Sequence, residues 1–227
     1  PYYITSGEDM DKIGTGDYTL DANYKMVNDI DLGMYKRWEP IANGSRFEGT
    51  FDGAGYTIYN LTIKDYELDE YGRPAKGFPE LNFDMTYAGL FAELGISSVV
   101  KNVNLSQASV MTKDVKYMGV LAGVNKGTVE MVNVTESVIG NENAEIGGIV
   151  SCNLRRMSRV SFDGTINAGK YAGGIAAMNL GTVAKCYVSR KYCTKIELNF
   201  LYEKVQIGID FRNGKGYNNS YRSIFYK

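Results

Sequence analysis

Val100-Lys101-Asn102-Val103-Asn104-Leu105 and Val129-Glu130-Met131-Val132-Asn133-Val134 repeat one pattern, apolar at x, x+3 and x+5. The same triplet is read at Val27/Ile30/Leu32, Ile58/Leu61/Ile63, Met157/Val160/Phe162 and Val183/Cys186/Val188. First members step by 31, 42, 29, 28 and 26 residues, so the unit is near 28 residues with one insertion. A period in that range describes a solenoid, in which each coil buries its apolar face against the next.

Within a triplet, x+3 and x+5 share one side of a strand, whereas the odd step from x to x+3 would flip the face. A bend therefore belongs between them, at Asn28-Asp29, Tyr59-Asn60, Lys101-Asn102, Glu130-Met131, Ser158-Arg159 and Ala184-Lys185. A second strand is read before the last four triplets, at 88–92, 118–122, 147–151 and 173–177. Aligned, these give an aliphatic column Leu90/Val120/Ile149/Ile175, a small column Ala92/Ala122/Ser151/Ala177 and a glycine column Gly89/Gly119/Gly148/Gly174. A glycine that recurs once per coil inside a strand-like segment reads as close backbone packing, not as a phosphate-cradling loop. The expected fold is all-β: a parallel β-helix of about six coils, right-handed by strand-twist sterics. Residues 1–20 and 190–227, which do not follow the repeat, are expected to cover its open ends.

Composition agrees with that class. The chain holds 26 Gly, 4 Pro and 18 Tyr among 227 residues, a turn-rich and β-compatible mixture. Its net charge of −1 sets up no field that would draw nucleic acid or an anionic membrane. No membrane span and no leader peptide is read, so the sequence looks like a mature or excised segment. Cys152, Cys186 and Cys193 form no disulfide framework. Cys186 falls in an aliphatic column and is expected to be a buried thiol, with a Cys186–Cys193 bridge as the alternative.

Four further stretches carry a family resemblance: Ile4-Thr5-Ser6-Gly7-Glu8-Asp9-Met10, Asn28-Asp29-Ile30-Asp31-Leu32 with Trp38-Glu39-Pro40-Ile41, the run 47–58 from Phe47-Glu48-Gly49-Thr50-Phe51-Asp52-Gly53, and Gly89-Leu90-Phe91. In combination they resemble the bacterial GLUG-motif family, whose repeats occur in large surface and secreted proteins, including the N-terminal region of IgA-specific metallopeptidases. The resemblance covers residues 1 to about 190. It implies a repeat solenoid over 1–189 and a secreted or cell-surface setting, and it implies nothing for 190–227.

The chain contains no histidine, which removes zinc-protease, Ser-His-Asp and Cys-His chemistry from this segment. Carboxylate chemistry remains, and it needs two acids facing one groove. Asp29, Asp31, Asp52 and Asp163 are the candidates, each also explained by a corner, a solvent face or an Asp-Gly turn. No cofactor and no metal site is read.

Binding is expected where the repeat is interrupted or stops. Residues 64–86 leave the rod as an acidic excursion with Tyr66, Tyr71, Phe78 and Phe83. Residues 190–227 carry a net charge of +5 and Tyr217, Tyr221 and Tyr226, with alternation that predicts strands of a C-terminal cap or the start of a following element. The sequence therefore reads as a non-catalytic module for adhesion, binding or spacing, with host protein or glycan as partner. A carbohydrate-active β-helix using an Asp/Glu pair and an exosite region of a larger secreted peptidase are the alternatives.

Overall fold

The computed structural model describes residues 1–65, 86–113, 115–168 and 171–189. It is a parallel β-solenoid, built from one 13-stranded sheet that runs around two bends and two four-stranded sheets. Every pairing between its strands is parallel and joins neighbouring coils.

The first column of the long sheet is continuous from end to end, and all its members are buried except Tyr2, which is 37% exposed. Tyr2, Tyr24, Phe51, Val100, Val129, Met157 and Val183 are successive partners in seven rungs. Past the first bend a second column follows, Ile30, Ile58, Leu105, Val134, Phe162 and Val188. Past the second bend comes a third, Ile63, Val110, Ile139 and Ile166. Burying one such aliphatic side chain contributes about 1.5–3 kcal/mol, so the columns supply most of the drive for stacking.

The bends use a left-handed residue. Asn102, Met131, Arg159 and Lys185 at the first bend have φ of 53–56°, and Asn60, Gln107 and Glu136 at the second have φ of 51–59°. Side chains other than Gly lose roughly 1–2 kcal/mol in this conformation. Here the ladders on either side hold it in place, and the odd x to x+3 step is its sequence trace.

The first two triplets are out of register with the rest. Ile30 pairs with Ile58 and Ile58 with Leu105, so Ile58/Leu61/Ile63 turns the second bend, in step with Leu105/Ala108/Val110. For the second triplet the reason lies in Asp52–Tyr56, a turn with Ala54 at φ 53° and Gly55 at φ 89°, which lengthens the coil between Phe51 and Ile58. Val27 is 39% exposed, and Tyr24 takes the inward place expected of it.

The strand read before each later triplet is two strands with a corner between them. Tyr87–Ala88, Tyr117–Gly119, Glu145–Gly147 and Tyr171–Gly173 form one four-stranded sheet; Phe91–Leu94, Ala122–Asn125, Val150–Asn153 and Ala176–Asn179 form the other. The paired glycines are accordingly Gly119, Gly147 and Gly173. A Cβ at Gly147 would overlap the Val150 carbonyl oxygen across the corner, which is the close packing expected of the column. The small column reads Ala92/Gly123/Ser151/Ala177 by register. A Cβ at Gly123 would meet Tyr87 Cβ at 2.6 Å, and Ser151 Oγ donates to Glu145 O at 2.7 Å. These small residues make room for the opposing sheet, where Tyr87 and Tyr117 stack at 5.7 Å.

A buried amide ladder closes the next corner. Asn125 Nδ2 donates to Asn153 Oδ1 at 2.8 Å, and Asn153 Nδ2 to Asn179 Oδ1 at 2.6 Å. Asn125 Oδ1 also accepts from Gly127 N, so this amide ties its own corner to the next coil. Leu94 holds the equivalent place in the preceding coil.

At the N-terminal end, Tyr2–Ile4 adds a rung to Asn23–Met26. The five-residue helix Gly7–Asp11, capped by Ser6 Oγ accepting from Asp9 N, places Met10 in the core.

Candidate binding surface

Tyr66, Tyr71, Phe78, Phe83, Tyr217 and Tyr221 lie outside the described residues, as does Cys193. What is described is how the 64–86 excursion joins the rod. Asp65 Oδ1 accepts from Thr112 Oγ1 at 2.7 Å and Lys113 N at 2.8 Å, while Thr86 O accepts from Tyr117 N at 3.2 Å. Both ends are thus fixed to residues 112–117 of the next coil.

The candidate carboxylates serve the coil. Asp29 Oδ1 accepts from Thr57 N, and Asp31 Oδ1 from Gly33 N and Asn60 Nδ2, all at 2.8 Å. Asp52 Oδ1 accepts from Ala54 N at 2.9 Å and Asn102 Nδ2 at 3.0 Å, and its Oδ2 lies 3.4 Å from Lys101 Nζ. The Asn60 amide and the Gly33 N–H lower the Asp31 pKa. Partial burial raises that of Asp52, but Asn102, Ala54 N–H and Lys101 outweigh it, so the net shift is downward. Groups held ionised in this way are poor proton donors at neutral pH. Asp163 does not repeat the Asp52 turn: it lies within Ser161–Ala168, where the register shift opposite Thr135/Ser137 falls at Gly164.

Charges on the outer face alternate along the rod. Lys25, Asp52, Lys101 and Glu130 are successive partners on neighbouring rungs, and Arg159 pairs with Glu130. Exposed pairs of this kind contribute about 0–1 kcal/mol each and favour register more than stability.

Between this ladder and the Asp52–Tyr56 turn lies an open groove of about 450 Å³. Its lining includes Lys25, Asp52, Asn102, Asn104, Met131 and Asn133. Asn104 Nδ2 donates to Gly55 O at 2.7 Å and Asn133 Nδ2 to Asn104 Oδ1 at 2.9 Å, so the amides run in file across the coils. Met131 adds an apolar side chain 37% exposed. Of these residues only Asp52 stands out as a candidate in the sequence. The signal for the others is outward polar residues at equivalent places in successive coils.

Cys152 and Cys186 are free and buried. Burial raises both thiol pKa values. Among the described residues no three His, Cys, Asp or Glu side chains cluster to hold a metal ion, and no helix is long and apolar enough to cross a membrane.

No family model matches the chain. Among curated proteins it is similar to halomucin of Haloquadratum walsbyi, at 30% identity over 162 residues, which is 66% of this chain and 2% of that protein. It is also similar to a protein assigned as a Gly-rich membrane protein of Evansella cellulosilytica, at 29% identity over 145 residues, 59% of this chain and 14% of that protein. The chain thus spans a small part of both relatives. Among solved structures, a protein assigned as an immunoglobulin A1 protease of Bacteroides ovatus aligns with a TM-score of 0.45 and 12% identity, over 83% of this chain and 75% of that chain.

Proposed function

We propose that this chain is a GLUG-type repeat module of a surface or secreted protein, non-catalytic in itself, which spaces and presents binding surfaces outside the cell. The observation that carries this reading is the state of its acids: Asp29, Asp31 and Asp52 are each engaged by backbone or side-chain donors from the same or the next coil. Paired-carboxylate catalysis instead needs one acid with a raised pKa facing a second across a groove. Similarity to short stretches of two far longer proteins, one of them assigned to a membrane, supports a modular role. In this reading residues 1–189 form one solenoid unit, 1–20 and 190–227 cover its ends, and 64–86 is a site of partner contact.

Labelling intact cells of the producing organism with an antibody to this segment tests the location, and surface or medium signal is expected. Incubation with polysaccharides and with unfolded protein, followed by reducing-end and peptide analysis, tests the chemistry. Strictly cytoplasmic signal, or turnover of either substrate, would refute the reading.

A further inference from the structure

We propose that the groove beneath the Asp52–Tyr56 turn is a binding site for a neutral polysaccharide chain lying along the rod axis. The ligand class rests on the extracytoplasmic reading above; the groove itself does not.

Three properties of the groove select this ligand. First, its lining crosses four rungs, Lys25, Asp52, Asn102 and Met131, a length of about 14 Å at the inter-strand spacing. It is open rather than enclosed, a shape that takes a segment of a polymer more readily than a small molecule. Second, the polar groups are amides, one carboxylate and one ammonium, which supply both donors and acceptors to hydroxyl groups. Asp52 is held ionised by Asn102, Ala54 N–H and Lys101, and a carboxylate has lone pairs for two oxygens' worth of donors. Third, Met131 projects from a left-handed bend and gives the C–H face of a sugar ring an adaptable apolar contact. The lining holds one cation, Lys25, and one anion, Asp52, and the whole chain carries −1, so neither a polyanion nor a polycation is favoured.

Native affinity gels containing soluble xylan, galactomannan or mixed-linkage β-glucan test the proposal. Retardation by at least one of the three is expected. The Met131→Gly and Asn133→Ala variants should weaken it tenfold or more, while Leu180→Ala, at a different corner, should leave it unchanged. Met131→Gly decides the matter, because the φ of 53° at this position suits glycine and the coil keeps its shape. Retardation by none of the three polysaccharides, or equal retardation of wild type and Met131→Gly, would overturn the proposal. Binding accompanied by release of reducing ends would refute the non-catalytic reading and leave the groove assignment standing.

Discussion

Replacing Asn153 by Ala removes the middle of the buried amide ladder, and the structure sets the size of the loss. Asn179 Oδ1 loses its donor at 2.6 Å, and Asn125 Nδ2 loses its acceptor at 2.8 Å. Asn153 is fully buried and Asn179 nearly so, and leaving a buried polar group without its partner costs about 1–3 kcal/mol. Asn125 Nδ2 keeps a bond to Arg156 O at 3.2 Å, which puts its share near the low end. The sum is about 3 kcal/mol, equivalent to a fall in melting temperature of roughly 6–12 °C for a chain of this length. Asn153→Asp should be worse, because a carboxylate can accept from Asn125 but sets oxygen against oxygen at Asn179. Its deficit should grow as pH rises and the buried acid is forced to ionise. Stacked coils are coupled chiefly to their neighbours, so amide exchange should quicken most in 122–129, 150–157 and 176–183. Thermal denaturation together with exchange mass spectrometry measures both effects. A loss below about 1 kcal/mol, or acceleration spread evenly over residues 23–59, would refute the reasoning.

Gly147→Ala should abolish soluble expression or lower the melting temperature sharply, because its Cβ overlaps the Val150 carbonyl; Gly55→Ala, with open space around it but φ 89°, should lose only about 1 kcal/mol by the same assay. Glu136→Gly should melt at or slightly above wild type and Glu136→Val about 1–2 kcal/mol below it, since φ there is 51°; the reverse order would contradict a left-handed bend. Asp31 and Asp52 have lowered folded-state pKa values. Their contribution is therefore complete above the ordinary carboxylate value near 4 and is lost as pH falls through the folded values. Melting curves from pH 6 to pH 2 should show that loss, and the Asp52→Asn variant should show less of it. Cys152 and Cys186 should resist iodoacetamide at pH 8 in the folded chain and react after denaturation, as peptide mass mapping would show.

The solenoid was legible because bending a strand at a left-handed residue leaves an odd spacing that no continuous strand or helix produces. That same cue marks two different bends, which is why Ile58/Leu61/Ile63 reads like Val100/Val103/Leu105 while sitting one bend further on. Only the Asp52–Tyr56 turn separates the two cases, and a longer turn changes coil length without changing the hydrophobic pattern. The glycine column slipped by one for a similar reason: Gly147-Gly148 and Gly173-Gly174 each offer two glycines, and only the ladder pairing selects the first. The amide ladder left a trace too, since Asn125, Asn153 and Asn179 each stand four residues before Val129, Met157 and Val183. Asparagine is so common in turns that its recurrence alone does not distinguish a solvated corner from a buried one. The groove was not legible, because it is lined by residues from four rungs, among them three of one longer turn.

Asp65 and Thr86, each fixed to residues 112–117, make the corner between them a socket for inserted sequence. One coil carries 22 residues between Lys64 and Tyr87 where the next has 5 between Met111 and Tyr117, 17 more, and the rungs on either side keep their partners. Doubling the length of a flexible connection costs only about 0.6 kcal/mol in closure entropy. A foreign peptide or small domain spliced between these two anchors should therefore be displayed at a fixed height on the rod, with the ladder beneath it undisturbed.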